Sequence, residues 1–430
     1  MDNKIKWGCI QPLTGGMYIG AMQAIGHSAE WILSYDGLDA VKKDKEGNII
    51  AASNEYNLRD WLKKNDLDVP YYIIKDRDMF AMDVETKNPA IFLNDEESLP
   101  DYEDIDLIVA VPVCSGLSNS TRASSDTKDA RNCNMQWLAY YVLNVIKPKV
   151  YCFENAPTLV GDGGKEVRHY LENVAMKSGY SVLYYKTDTV YHHNCQRRPR
   201  TFVMFFKWTG EGMQRPPMLG YEHETILIPE FFDAISKDAP QQTPVRSSIH
   251  NYMVIDFMNY KYGEDWPSHL TKTNVVTHIL NDKELYAEFR EWIASSSYSD
   301  LDKERAFKYI DHIFYKKDMG KNYYSQDAAL FVDLFPSVQF RSIPNMLHYS
   351  GKRFCTIREY LSLMGMPEDF ILYGGDADLA KIGQNVPVGT AKFIVSQIVN
   401  VLNEWNYINR EDDVNMVYQN NVKQCILKLN

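Results

Sequence analysis

Leu107-Ile108-Val109-Ala110-Val111-Pro112-Val113-Cys114-Ser115-Gly116 is the stretch on which the fold of this chain turns. Its first five residues are apolar without a break, as expected of a strand buried on both faces. The remainder is a short turn that carries a thiol. A cysteine just past a strand stands at the carboxyl edge of an α/β sheet, where sites in such folds lie. It would face a crevice there, and main-chain N–H groups nearby would favour its thiolate. By position alone, a structural turn cysteine and a reactive one explain the stretch equally well.

The segments that follow repeat the pattern. Residues 150–153 form a second wholly apolar run, and 180–185 and 201–206 read as two more strands. Between the first two, Met135, Leu138, Val142 and Val145 recur at helical spacing. Strand–helix alternation of this kind predicts an α/β sheet. The loop at 118–125 is small and polar, which suits either a mobile lid or plain solvated chain. The second strand ends in Phe153-Glu154-Asn155, one strand–helix–strand unit after Cys114. Nucleophile and proton donor on neighbouring strand ends is one reading of that pair; a helix-capping Glu-Asn is the other.

Upstream, Gly15, Gly16 and Gly20 stand ahead of an expected helix, where glycine lets the backbone approach a nucleotide-like ligand. Their spacing is not Gly-x-Gly-x-x-Gly. His192-His193-x-Cys195 invites a metal reading, but no second ligand pair accompanies it and arginines adjoin it, so no metal is expected. Residues 209–220 read as a linker, and from there to about 351 the alternation is lost. This Tyr-, Phe-, Asp- and Glu-rich segment behaves as an insertion whose fold the sequence does not disclose. A helical tail follows. Thr356-Ile357-Arg358-Glu359 has capping-box spacing, and Ala391, Ile394, Val395, Ile398, Val401 and Leu402 form an amphipathic stripe. The expected division is 1–208, 209–351 and 352–430.

With 430 residues, 45% hydrophobic and 24% charged, the chain is large enough for such a sheet plus an insertion. No apolar run approaches the roughly 20 residues that cross a bilayer, and the first residues lack a signal-peptide layout, so a cytoplasmic protein without membrane contact is expected. Seven scattered cysteines without a Cys-x-x-Cys pair argue against a disulfide framework. The net charge of -11 argues, taken alone, against a polyanionic partner. Local distribution decides, however, and Gln196-Arg197-Arg198-Pro199-Arg200, with Lys207 and Arg215, is a basic cluster.

Taken in order, these pieces resemble the DNA cytosine-5 methyltransferases. Residues 106–118 are similar to the family's strand and Pro-Cys loop, Phe153-Glu154-Asn155 to its Glu-Asn motif, and 196–200 to its Gln-x-Arg-x-Arg motif. Arg358-Glu359 with Met364-Gly365-Met366-Pro367 resembles its late helical motif, and Gly383-Gln384-Asn385-Val386-Pro387-Val388 its last motif. The resemblance implies a Rossmann-like S-adenosylmethionine-dependent methyltransferase sheet with an inserted target-recognition domain. It assigns Cys114 as nucleophile, with Glu154, Arg198 and Arg200 catalytic. Ser118, Asn155 and Gln196 fall to the substrate, and Thr14, Gly15, Gly16, Asp36, Asp78, Pro112, Asn385 and Val386 to S-adenosylmethionine. The implied partner is double-stranded DNA, bound by a monomer that can accompany a restriction enzyme.

Several positions depart from the family pattern. Val113 and Ser115 flank the cysteine in place of proline and glutamine, Gln11-Pro12-Leu13 replaces the usual opening of the first loop, and Gln384-Asn385 replaces Asn-Ala or Asn-Ser. Three alternatives therefore stand beside this reading: an RNA cytosine-5 methyltransferase, a catalytically weakened nucleic-acid-binding relative, and an unrelated Rossmann-like enzyme.

Overall fold

The computed structural model describes residues 4–35, 41–74, 100–114, 116–117, 132–208, 226–272, 274–318, 330–331, 338–339 and 343–408. Seven strands form one sheet: β1 (Trp7–Ile10), β2 (Trp31–Tyr35), β3 (Tyr71–Ile74), β4 (Leu107–Ala110), β5 (Val150–Asn155), β6 (Tyr180–Asp188) and β7 (Pro199–Lys207). Their order is β3-β2-β1-β4-β5-β7-β6, and only β7 runs against the others. All four strands read from the sequence are present, and the expected α/β class is the one observed.

The unbroken apolar runs arise because the sheet is covered on both sides. Leu107 and Val109 join one core with Val150, Cys152, Phe202, Met204 and Phe206. Ile108 and Ala110 join the other with Tyr151, Phe153, Val203 and Phe205. The second core is closed by α3 (Cys133–Tyr141) and α4 (Lys165–Lys177). The first is closed by α1 (Gly16–Ile25), α2 (Asn54–Lys64) and, from the far end of the chain, the long helix at Val388–Ile408.

That long helix buries Ala391, Ile394, Val395, Ile398 and Leu402, the expected stripe, with Val401 at its margin. It also explains Gly20. A Cβ there would lie 2.5 Å from Ala391 Cβ and 2.6 Å from the Val388 carbonyl oxygen. Gly16 and Gly20 lie inside α1 rather than ahead of it, and Gly20 serves helix–helix contact, not the approach of a ligand. Val145 also departs from expectation. It is 42% exposed, because α3 passes into a wider π-turn over Val142–Ile146 that shifts the helical phase.

The expected insertion at 209–351, unreadable in the sequence, is mainly helical where described, with short strand pairings at 330–331, 338–339 and 346–347. It contains α5 (Ile249–Tyr262), α6 (Val275–Asn281), α7 (Lys283–Ser295) and α8 (Asp300–Asp318). Asn274 and Asp282 cap α6 and α7 through their side chains. Met253, Phe257, Ile279, Phe289, Ile293 and Ile310 belong to the same apolar cluster as the first sheet face. After α9 (Ile357–Leu363), opened by the expected Thr356/Glu359 capping box, come α10 (Leu379–Gln384) and the long helix, now α11. The linker at 209–220 lies outside the described residues. No described helix is long and apolar enough to cross a membrane.

Candidate active site

The topology brings three sequence-distant segments to one sheet edge. Ala110 pairs with Phe153, so the turn after β4 and the end of β5 emerge side by side. Because β7 is reversed, its beginning lies at the same edge, with Thr201 opposite Asn155 and Phe202 opposite Glu154. Cys114 follows β4, Glu154 and Asn155 end β5, and Arg198 and Arg200 lead into β7.

Glu154 is buried, and Arg200 Nε lies 2.6 Å from its Oε1. Burial pushes the Glu154 carboxyl above the usual carboxylate range, against the pull of Arg200 and then Arg198. The half-buried Cys114 thiol is likewise pushed up by burial and by the Glu154 charge, while Arg200 and Arg198 draw it down. Burial therefore outweighs the thiolate-favouring surroundings that the sequence suggested. Burial and the neighbouring Arg200 bring Arg198 down to about 9, opposed by Glu154 and Cys114. Mutual electrostatic influence among Cys114, Glu154, Arg198 and Arg200 makes them one constellation.

The cysteine turn is held from α3, where Asn134 Oδ1 accepts the Val113 N–H at 2.9 Å. Asp188 Oδ1 accepts the Arg198 N–H at 2.8 Å. The Arg198 guanidinium donates to the carbonyls of Gly383 and Asn385, the latter at 3.2 Å. Gln196 Nε2 donates to the Leu363 carbonyl at 2.8 Å and lies 3.0 Å from Met364 Sδ. The Gln-x-Arg-x-Arg segment thus grips both late motifs. Asn155 Oδ1 accepts the Ala156 N–H at 2.9 Å. Asn155 Nδ2 and Gln196 Oε1 are buried without partners among the described residues. Asn134, Asp188 and the α3 start had no sequence signal beyond being polar residues near turns.

At the neighbouring end of β1, the loop into α1 has three left-handed residues: Gln11 (φ 51°), Leu13 (φ 52°) and Gly15 (φ 105°). Thr14 is fully buried, its Oγ1 2.8 Å from Asn54 Oδ1 and 3.0 Å from the Lys381 carbonyl. Gly16 donates its N–H to Asn385 Oδ1 at 2.7 Å. A Cβ on Gly16 would meet the Val386 carbonyl oxygen at 1.9 Å, and one on Gly15 would meet Leu58 Cδ1 at 2.6 Å. Thr14, Gly15, Gly16, Asn385 and Val386 therefore form one cluster, with Pro112 buried beyond β4. Asn54, Leu58 and Lys381, which the sequence did not single out, complete it. Asp36, Asp78 and Ser118 lie outside the described residues. His192, from the metal-like triplet, sits under Phe393 with Nε2 2.7 Å from Thr187 Oγ1, and Cys195 is buried.

A family profile described as C-5 cytosine-specific DNA methylase matches residues 75–400, well over half of the chain. The chain belongs to this methylase family. It is a DNA cytosine-5 methyltransferase, and the methyl donor of its family is S-adenosylmethionine. The seven-stranded sheet is accordingly the Rossmann-like methyltransferase sheet. No curated protein matches the methylase in sequence.

Among solved structures, the methylase is similar to an E. coli protein described as a DNA modification methyltransferase encoded within a prophage. They share 16% identity over 93% of this chain and 99% of the other, with a TM-score of 0.48. It is similar also to Entamoeba histolytica methyltransferase EhMeth, at 12% identity, 93% and 98% coverage and a TM-score of 0.45. A Spodoptera frugiperda DNMT2 mutant shows 13% identity, 93% and 99% coverage and a TM-score of 0.43. The assignment stands on the family profile.

The glycine loop fits the methylase's donor. Gln11 Oε1 is buried at the end of β1 and has no hydrogen-bond partner among the described residues. A buried acceptor just before a helix N-terminus suits a ligand carrying both an ammonium and a carboxylate, as the methionine end of S-adenosylmethionine does.

Proposed function

We propose that Cys114 is the methylase's nucleophile and Glu154 the residue that engages N3 of the target cytosine. The observation that carries this reading is the shared enclosure of Cys114, Glu154, Arg198 and Arg200 at the ends of β4, β5 and β7. Carbon 5 of cytosine is a poor nucleophile. Addition of the Cys114 sulfur to carbon 6, with a proton delivered toward N3, makes the ring an enamine nucleophilic at carbon 5. The high proton affinity of buried Glu154 suits it to hold that proton. S-adenosylmethionine, when bound, supplies an electrophilic methyl group. Once carbon 5 carries the methyl group, loss of its proton to water breaks the carbon–sulfur bond and releases Cys114 as thiolate, and the N3 proton returns to Glu154.

Arg200 holds Glu154 in place and balances its charge as it ionises. Thr14, Gly15, Gly16, Pro112, Asn385 and Val386, with Asp36 and Asp78, would line the donor site. Ser118, Asn155 and Gln196 would serve the substrate. The base must leave the duplex stack to reach this edge. Residues 209–351 would read the target sequence between the catalytic parts 1–208 and 352–430. The enzyme is read as cytoplasmic and, as the resemblance implies, as a monomer that can accompany a restriction enzyme; light scattering on the purified chain checks the monomer.

Bisulfite sequencing of DNA from cells expressing the wild type and Cys114→Ala tests the whole reading. Methylated cytosines with the wild type and none with the variant are expected. Equal methylation by a folded Cys114→Ala protein would remove Cys114 from the mechanism.

A further inference from the structure

Asn385 joins two parts of the site that are remote in sequence. Its side-chain Oδ1 accepts the Gly16 N–H at the start of α1, 2.7 Å away. Its main-chain oxygen accepts from Arg198 Nη2 at 3.2 Å, and the same nitrogen donates to Gly383 O. Its Nδ2 lies 3.1 Å from Met366 Sδ, and the residue is 1% exposed. The contact with α1 has no slack, since Gly16 has no room even for a Cβ against Val386 O. Residues 383–386 are therefore gripped on one side by the glycine loop and on the other by a guanidinium that bears on Cys114 and Glu154.

The geometry points to Asn385 as a positioning residue that ties the seat of Arg198 at the catalytic edge to the order of the glycine loop. A side chain that can accept the Gly16 N–H is needed for this. Alanine at the same place leaves that buried donor bare, and the segment that Arg198 grips loses its hydrogen bond to α1. Nothing in the chemistry of Arg198 itself requires this particular carboxamide; it is the segment's attachment to α1 that does. Three charged groups act on the Cys114 thiol: Glu154, Arg200 and Arg198. Of these, only Arg198 is held through Asn385. Displacement of Arg198 removes a positive charge from the thiol and raises the pH at which it ionises. The inference rests on the proposed roles of Cys114 and Arg198.

The test follows the pH dependence of Cys114 alkylation by iodoacetamide in the full chain, with Cys114→Ser giving the background. Asn385→Ala should move the midpoint to higher pH and weaken binding of S-adenosylhomocysteine in calorimetry by roughly tenfold, the loss of about one buried hydrogen bond. Asn385→Ser, which retains an acceptor, should recover part of both. Arg198→Met should move the midpoint in the same direction, and adding Asn385→Ala to it should move it no further. A merely structural role would lower thermal stability and leave the midpoint in place. An equal Asn385→Ala shift with and without Arg198, or no shift where Arg198→Met gives one, overturns the inference alone. A midpoint indifferent to Arg198→Met overturns it together with the role given to Arg198.

Discussion

Arg200 Nε lies 2.6 Å from Glu154 Oε1, and the carboxylate half of the pair is 4% exposed against 20% for the arginine. The pair is thus enclosed at the carboxylate and partly open at the guanidinium. Burial favours a protonated Glu154 and Arg200 is the strongest force against it. Arg200→Met should therefore raise the Glu154 pKa further. Cys114 loses its largest stabilising charge in the same step, so its ionisation also moves up. The acid limb of single-turnover methylation should shift to higher pH. A uniform loss of rate with the limb unmoved would show that Arg200 does not set these protonation states.

Glu154→Gln keeps the shape of the side chain and removes its titration. The methylation rate should fall by about 10²–10⁴ if the proton it handles is catalytic. DNA affinity should change far less. The sign of the shift gives a second readout. A carboxyl whose folded pKa is raised contributes stability in full below its unfolded value and loses it as pH rises through the folded value. Glutamine imitates the protonated form, so wild type and variant should converge in urea midpoint as pH falls. Parallel loss of rate and affinity would mark Glu154 as a binding residue.

What the sequence disclosed follows from what periodicity can carry. Residues 107–110 and 150–153 are legible because burial on both sheet faces leaves an unbroken apolar run. The convergence of Glu154 with Arg200 was not derivable from spacing, since it depends on β7 running backwards. Gly20 was misread because a glycine that admits Ala391 looks in sequence like one that admits a ligand. Helix α5 is hard to read because its buried face includes polar His250 and Asn251 beside Met253, Val254, Phe257 and Met258, while its exposed face carries Tyr260 beside Asp256 and Asn259, so polarity and burial do not share a period. The Asn54–Thr14 and Asn385–Gly16 contacts join residues 40 and 369 positions apart, and no local pattern encodes them.

Arg358 is fully buried, donating from Nη1 to the carbonyls of Pro367 and Glu368, each at 2.8 Å, and from Nη2 to Phe370 O at 2.6 Å. Burial brings it down to about 10, with Glu368 and Asp369 opposing. Each such charge-assisted bond contributes about 1.5–3 kcal/mol. Arg358→Met leaves three carbonyls bare and should cost at least about 3 kcal/mol in urea denaturation. Arg358→Lys should recover less than half, because a point ammonium cannot span three acceptors. A cost under about 1 kcal/mol for Arg358→Met would show that water replaces the guanidinium.

The last prediction divides the labour between chemistry and sequence reading. Residues 217–350 carry more Asp and Glu than Lys and Arg, so the insertion should not hold DNA by bulk attraction. Affinity should rest on the catalytic part, through Arg197, Arg198 and Arg200, and through Arg122, Lys128 and Arg131, which lie outside the described residues. Arg197 is the most exposed of the described three, its side chain 62% accessible beside Asp188. Arg197→Gln should weaken binding to all sequences alike and lower the salt slope by about one unit. Discrimination should lie in the insertion, but its borders are not clean. Gln241 bonds the Leu372 main chain twice, at 2.9 and 3.0 Å, and residues 338–339 pair with Gln196 and Arg197. Exchange of the whole of 209–351 removes both attachments and should fold poorly. Exchange of Ile249–Asp318 alone, with surface residues matched to the shared core, keeps them. Methylome sequencing of that narrower graft should show a changed target and unchanged cytosine-5 chemistry. An active graft that still methylates the original site would place recognition elsewhere in the chain.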